Sequence, residues 1–219
     1  MSDYKDNEFY TLLKNAKNVD GTGITTTQRW SPSIRKNDFT FSREMVSKLS
    51  SQRNDEIKSN FFYNFQYLEF LKLQVLELVL TPVLKAMIKK SYIITGVSII
   101  ELCFTVYLEN LGHDPKESFY SKIKEVKDDN GKNFFNLSDN DFTDIDELRN
   151  SRNKIHLEDK KNTIDAITRH DMNKDYNYFD ISDSHQIEMV KAILLKLFGT
   201  EKSKFTNKPE LFRSLLSLD

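Results

Sequence analysis

The segment LRNSRNKIHL, residues 148–157, carries the side chains best suited to acid–base chemistry in this sequence. Its polar row consists of Arg149, Arg152, Asn153 and His156. Spacings of three, four and seven positions would place these side chains along one edge of an α-helix. A neutral imidazole can accept or donate a proton near neutral pH, and guanidinium groups bind phosphate oxygens. The polar row therefore predicts phosphoryl-ester chemistry that needs no metal ion.

RNA is the phosphodiester that best suits such a row, because its 2′-hydroxyl is a nucleophile beside the scissile phosphate. A base, an acid and a cationic clamp are then sufficient for cleavage. Asn153 could orient the attacking hydroxyl or hold the tautomer of the imidazole. The alternative interpretation is structural, since Arg, Asn and His near a helix C-terminus also cap carbonyl groups and interact favourably with the helix dipole.

The polar row requires a helix, and the segment TDIDELRNSRNKIHL predicts one that begins just after Thr143. Thr143 and Asp146 have the spacing of a capping box. On this helix Ile145, Leu148 and Ile155 share one sector and would face the core. The polar row would then follow the edge between the buried and exposed faces.

Glu101 is the one charged residue in the apolar run SYIITGVSIIELCFTVYL, residues 91–108. Burying an unpaired carboxylate is costly, so we predict that Glu101 pairs with Arg149 or Arg152 and orients the polar row. The alternative is a carboxylate that reaches solvent at a helix edge or a dimer seam. The run is barely long enough to span a bilayer, and a carboxylate at its centre disfavours that role. We expect a core helix and no membrane span.

The remaining chain has few helix breakers, with 6 glycines and 4 prolines in 219 residues, which favours helices. The first predicted helix begins at Thr40 or Ser42 and ends near residue 57. Further predicted helices cover 61–80, 82–110, 114 to about 130, 183–198 and a short segment from Pro209. The lysines of ESFYSKIKEVKDD, at 117–129, are interpreted as a solvated helix face. Residues 1–40 are predicted to form a partly irregular appendage with a short helix at 7–17, and a short strand is expected near 178–181. The predicted fold is an all-α, antiparallel helix bundle over residues 41–219.

Charge and composition narrow the functional classes. A net charge of -1 excludes a globally basic nucleic-acid binder but allows a local basic groove. The single cysteine cannot form an internal disulfide, and the 4 histidines lack the spacing of metal ligands. We therefore expect no metal and no cofactor. The acidic, polar segment MSDYKDNEFY is unlike a signal peptide, and we expect a cytoplasmic protein.

The segment LRNSRNKIHL, together with the upstream apolar helix, resembles the signature of the HEPN superfamily (higher eukaryote and prokaryote nucleotide-binding domains). The resemblance covers roughly residues 60–200. The family motif is an arginine, usually followed by a polar residue such as asparagine, with a histidine a few residues beyond. Three residues separate Arg152 from His156 and six separate Arg149 from His156, so either arginine could be the motif arginine.

The resemblance implies a helical bundle that acts as a metal-independent endoribonuclease of a bacterial defence or toxin system. It implies that His156 transfers protons, that Arg152 or Arg149 stabilises the pentavalent phosphorus, and that Asn153 positions the other groups. Active members typically dimerise so that two motif helices face one cleft. The expected partners are RNA, a second copy of the chain, and an antitoxin or another defence protein. Inactive members serve as binding or dimerisation modules, which is the alternative expectation.

Overall fold

The structure, a computed structural model, describes residues 32–78, 80–114, 117–156 and 185–217. In this part of the chain the regular secondary structure is entirely helical, and the all-α prediction is confirmed. The short helix predicted at 7–17 and the strand predicted near 178–181 lie outside the described residues. The chain divides into the units Met1–Pro32 and Ser33–Asp219, and all the described helices belong to the second unit.

The described helices are α1 (Arg43–Val46), α2 (Ser51–Glu77), α3 (Pro82–Leu111), α4 (Phe119–Asp128), α5 (Gly131–Phe135), α6 (Asp139–His156), α7 (185–198) and α8 (Pro209–Leu216), preceded by a 3-10 turn at Lys36–Asp38. Helix α3 packs against α1, α2, α4 and α6 and is the central helix of the fold. Helices α4 and α6 also pack against each other. The three helices α3, α4 and α6 therefore meet, and their contact region holds the candidate site.

Residues at both ends of α3 explain locally why the helix begins and ends there. The Thr81 hydroxyl accepts a hydrogen bond from the Leu84 amide at 3.4 Å, and Pro82 occupies the first turn. Gly112 ends the helix with a φ of 100°, a left-handed conformation that favours glycine. The predicted span of 82–110 is confirmed to within one residue.

Helix α2 is continuous, so the prediction of two helices at 42–57 and 61–80 is wrong. The Ser50 hydroxyl caps α2 by accepting the Arg53 amide at 3.1 Å. No glycine or proline interrupts the helix, and one buried apolar stripe runs through the predicted gap. The stripe consists of Ile57, Phe61, Phe65 and Leu68. Its spacing of four, four and three positions keeps the chain helical against the core.

Helix α4 begins later than predicted. The expected start at Asp114 is wrong, because the Ser118 hydroxyl caps the helix by accepting the Ser121 amide at 3.2 Å. This cap immediately precedes the buried stripe of α4, which begins at Phe119. The predicted end near Asn130 is confirmed, since Asn130 adopts a left-handed conformation between α4 and α5.

The core contains a cluster of aromatic rings that we call the phenylalanine cluster. It consists of Phe39, Phe61, Phe65, Phe198, Phe205 and Phe212, all fully buried. Phe198 is central to it, with ring-centroid distances of 4.8 Å to Phe65 and 5.2 Å to Phe212. Ile34 and Phe39 are fully buried as well, so residues 33–40, which the sequence assigns to the appendage, pack into the helical body.

Helix α3 also determines how close α7 approaches. A Cβ atom on Gly96 would lie 2.2 Å from Val190 Cγ1, so only glycine permits this contact between α3 and α7. In the described part of the chain, one segment, Leu84–Leu111, is long and apolar enough to cross a membrane, and 67% of its most apolar window is buried inside the protein. Such burial is typical of the core helix that the sequence predicts.

Candidate functional site

Helix α6 carries the polar row, and it begins five residues before the predicted start. The prediction that Thr143 caps this helix is wrong. The Ser138 amide donates to Asp141 Oδ2 at 2.7 Å, and the Asp141 amide donates to Ser138 Oγ at 3.3 Å. These reciprocal bonds form a capping box five residues earlier. Thr143 lies inside the helix, where its hydroxyl donates to the Asp139 carbonyl at 3.1 Å.

The orientation of α6 agrees with the predicted helical wheel as far as it is described. Ile145 and Leu148 are buried in the core. The side chains of Arg149 and Arg152 are partly buried, with 17% and 27% of their surface exposed, and Asn153 is exposed. His156 is the last helical residue, and its side chain lies outside the described part, as do those of 154 and 155.

Glu101 of α3 forms an ion pair with Arg152 of α6, through Oε2 and Nη1. The predicted pairing of Glu101 is therefore confirmed, and Arg152 is its partner. The Glu101 side chain keeps 23% of its surface exposed, so the pair lies at the edge of the core. Removing one partner would leave a partly buried charge without its counterion, which is costly.

Lys122 of α4 is a further charged residue at this site, and the interpretation of its segment as a solvated face is wrong for this lysine. Its side chain is only 7% exposed, and its Nζ lies 3.4 Å from Glu101 Oε1. The sequence does contain a signal for this burial. Lys122 shares a helical stripe with Phe119, Ile123 and Val126, all of which are buried. A lysine within an apolar stripe indicates a buried ammonium group that needs a carboxylate.

Glu101, Lys122 and Arg152 together form what we call the charge triad. The two oxygens of Glu101 contact different cations, Oε1 facing Lys122 and Oε2 facing Arg152. Two cations and one carboxylate leave a formal charge of +1. Because Arg152 is 27% exposed, this excess positive charge can attract an anion from solvent.

Arg149 lies in a separate environment. Its Nε donates to Asp146 Oδ1 at 2.8 Å, and its Nη2 donates to Asn150 Oδ1 at 2.8 Å. The guanidinium also lies over the Tyr120 ring, 5.1 Å from the centroid. The two arginines of the polar row therefore do not share one counterion: Arg149 pairs with Asp146, and Arg152 pairs with Glu101.

Helix α7 is fixed beside α6 by two polar contacts. The Gln186 side-chain amide donates to Ser151 Oγ at 2.8 Å. The Lys196 ammonium group donates to both carboxylate oxygens of buried Asp141 at 2.7 Å. Burial alone would raise the pKa of Asp141, but the hydrogen bonds from Lys196 and Ser138 outweigh it and lower that pKa. One contact therefore holds the start of α6, at Asp141, and the other holds it within the polar row, at Ser151.

Comparison with known proteins adds no assignment, since no family model, no curated protein and no solved structure matches this chain. Among the residues that the structure describes, no group of three His, Cys, Asp or Glu side chains could hold a metal ion. The charge triad and the polar row therefore define the candidate site.

Proposed function

We propose that this protein is a metal-independent endoribonuclease of the HEPN type, and that Arg152 is the motif arginine. The observation that carries the proposal is the ion pair between Arg152 and Glu101. It joins the two sequence elements on which the resemblance depends, the apolar helix and the motif helix. A carboxylate on the apolar helix holds the arginine one helical turn before His156, the residue proposed to transfer protons.

The proposed reaction is attack of the RNA 2′-hydroxyl on the adjacent phosphorus. His156 takes the proton of the 2′-hydroxyl as the new O–P bond forms, and the bond from phosphorus to the 5′-oxygen breaks. A second imidazole, His156 of the facing copy, protonates the departing 5′-oxygen. The products are a 2′,3′-cyclic phosphate and a 5′-hydroxyl. Arg152 stabilises the charge that develops on the phosphoryl oxygens, and Asn153 positions the reacting groups.

Arg152 suits this role better than Arg149. Its side chain is more exposed, and its carboxylate partner lies on a different helix, which holds the guanidinium from one side. Arg149 is held by two residues of its own helix and by the Tyr120 ring. We assign Arg149 a supporting role in binding the RNA backbone.

The resemblance to the HEPN superfamily also leads to proposals about the oligomeric state and the cellular role. We propose an antiparallel helix bundle that forms a homodimer, with two copies of α6 lining one RNA-binding groove. We also propose a cytoplasmic role in bacterial defence or in a toxin system, with an antitoxin or another defence protein as partner.

The decisive experiment incubates the full-length protein with a synthetic single-stranded RNA in EDTA and analyses the ends of the products. We expect 2′,3′-cyclic phosphate and 5′-hydroxyl ends. His156→Ala should lower the rate by about 10² to 10⁴-fold, the usual contribution of acid–base catalysis. Arg152→Gln should lower it by about 10² to 10³-fold, through lost stabilisation of the transition state.

His185→Ala is the matched control, because His185 is an exposed histidine of α7 and has no part in the proposed chemistry. Its cleavage rate should equal that of the unmodified protein. Cleavage that survives in His156→Ala, or that requires added metal ions, would contradict the proposal.

One observation favours a second candidate, a catalytically inactive HEPN-like module for binding or dimerisation. Both arginines of the polar row already pair with a carboxylate of the same chain, Arg149 with Asp146 and Arg152 with Glu101, as in a row that only stabilises packing. This candidate predicts a dimer that cleaves no RNA at any protein concentration.

A further inference from the structure

The charge triad contains a lysine that the proposed reaction does not use. Lys122 is almost completely buried, and in the described part of the chain its Nζ has one hydrogen-bond partner, Glu101 Oε1, at 3.4 Å. That distance is longer than the usual range for a charged pair. The carboxylate is thus drawn toward Arg152, and its contact with Lys122 is stretched.

The two cations differ in what they can reach. Arg152 is 27% exposed and can meet an anion from solvent, whereas Lys122 is 7% exposed and faces the carboxylate inside the protein. Each cation uses a different oxygen of Glu101. Release of Arg152 therefore leaves the contact with Lys122 in place and allows it to shorten.

We propose that Glu101 is an internal counterion that a nucleic-acid phosphate displaces from Arg152, and that Lys122 retains the displaced carboxylate. Without Lys122, phosphate binding would leave a partly buried carboxylate with no cation, close to the incoming anion. Lys122 is thus a positioning residue that acts through Glu101. This inference rests on the proposed function, because it names how the same site accepts its phosphodiester.

The test measures binding and not cleavage, so the inference and the proposed function can fail separately. The probe is a fluorescently labelled, fully 2′-O-methylated oligoribonucleotide, whose blocked 2′-oxygen cannot attack phosphorus. Binding to the full-length protein is measured by fluorescence anisotropy at low and moderate salt. A protein that binds the probe but cleaves no RNA fails the proposed function and leaves this inference standing.

Lys122→Met and Glu101→Gln are compared singly and together. Lys122→Met should weaken binding by about tenfold, which corresponds to about 1.4 kcal/mol. Glu101→Gln should strengthen binding, because the competing carboxylate is gone. In the Glu101→Gln background, Lys122→Met should weaken binding by only about twofold, since Lys122 then has no carboxylate to retain.

Lys124→Met is the matched control, since Lys124 is an exposed lysine two positions along α4. Lys124→Met removes only long-range attraction, so it should weaken probe binding by a similar factor in both backgrounds. Equal losses for Lys122→Met in the two backgrounds would overturn the inference, because Lys122 would then act only as a distant charge. Weaker binding by Glu101→Gln, or no binding of the probe by the unmodified protein, would overturn it as well. If Lys122→Met does not fold, Lys122→Gln replaces it. The direction in which Glu101→Gln changes probe binding still tests the inference.

Discussion

The phenylalanine cluster and the charge triad are both contacts between helices, but they differ in what burial costs. The rings of the cluster carry no polar atoms and are fully buried, so their removal from water stabilises the fold directly. The members of the triad lose part of their hydration when α3, α4 and α6 pack, and their mutual attraction offsets that loss. The cluster therefore provides stability, whereas the triad mainly determines where positive charge lies.

The two regions also differ in how many residues share each contact. Phe198 contacts five other rings of the phenylalanine cluster, with centroid distances from 4.8 to 6.4 Å. Glu101 is the one carboxylate that both cations of the triad contact. When one ring is lost, the other rings still contact one another. When Glu101 is lost, both cations lose their counterion.

The largest effect is expected in the phenylalanine cluster. Phe198→Ala should lower the free energy of unfolding by about 3–5 kcal/mol, because it leaves a cavity at the centre of the cluster. Urea unfolding followed by circular dichroism measures the change. Tyr63→Ala is the control, since Tyr63 is an aromatic residue of α2 that is 64% exposed, and it should change the value by less than about 0.5 kcal/mol. Similar losses for both variants would show that the cluster does not dominate stability.

A smaller effect is expected in the charge triad. Glu101→Ala should lower the free energy of unfolding by about 1–3 kcal/mol, because buried Lys122 and partly buried Arg152 lose their counterion. The same substitution at Glu201, which pairs with Arg213 in an exposed position, should change stability by less than about 1 kcal/mol. Urea unfolding of both variants at low salt gives the comparison. If Glu101→Ala leaves the free energy of unfolding unchanged, solvent already screens the charges of the triad.

The cap of α6 should contribute about as much as one favourable hydrogen bond. Ser138→Ala should cost about 0.5–2 kcal/mol, the usual cost of losing an N-cap. Thr143→Ala should cost less than about 0.5 kcal/mol, because Thr143 lies inside the helix. Thermal unfolding of the two variants distinguishes the cap seen in the structure from the one predicted from the sequence. A larger loss in Thr143→Ala contradicts the described start of α6.

The smallest effect concerns pH, and it separates ionic from apolar contacts. The pKa of Asp141 is lower in the folded protein, so its contribution to stability is present above the unfolded pKa of about 3.9 and is lost as the pH falls. Between pH 6 and pH 4 this carboxylate should account for at most about 0.5 kcal/mol of lost stability. Asp141→Asn should remove that part of the pH dependence in urea titrations. The cost of Phe198→Ala should be the same at both pH values, since no ring of the cluster titrates.

Local signals predicted the parts of the fold that depend on neighbouring residues. Thr81, Pro82 and Gly112 define the ends of α3 through capping and backbone conformation, and these act within a few residues. The same reasoning failed at α6, where two segments, one at Ser138 and one at Thr143, both have capping spacing. Sequence alone does not rank two such caps, because the choice depends on which start buries Asp141 beside Lys196.

The candidate site was predictable in part. The cost of burying Glu101 predicted a cationic partner, and the two arginines of the polar row, Arg149 and Arg152, were the candidates. The choice of Arg152 depends on how α3 crosses α6, which no local pattern specifies. Lys122 could have been found from its place in an apolar stripe, but its partner could not, since Glu101 lies 21 positions earlier in the chain.

The sequence by itself determined that the described chain is helical, where the central helix begins and ends, and that Glu101 needs a cation. Those properties follow from hydrophobic spacing, caps and the cost of burying charge, all of which act along one helix. Only the tertiary structure decided that Arg152 and Lys122 share this carboxylate while Arg149 turns to Asp146. The physical reason is that ion pairing requires contact within a few ångströms, and only the packing of α3, α4 and α6 brings these distant residues together.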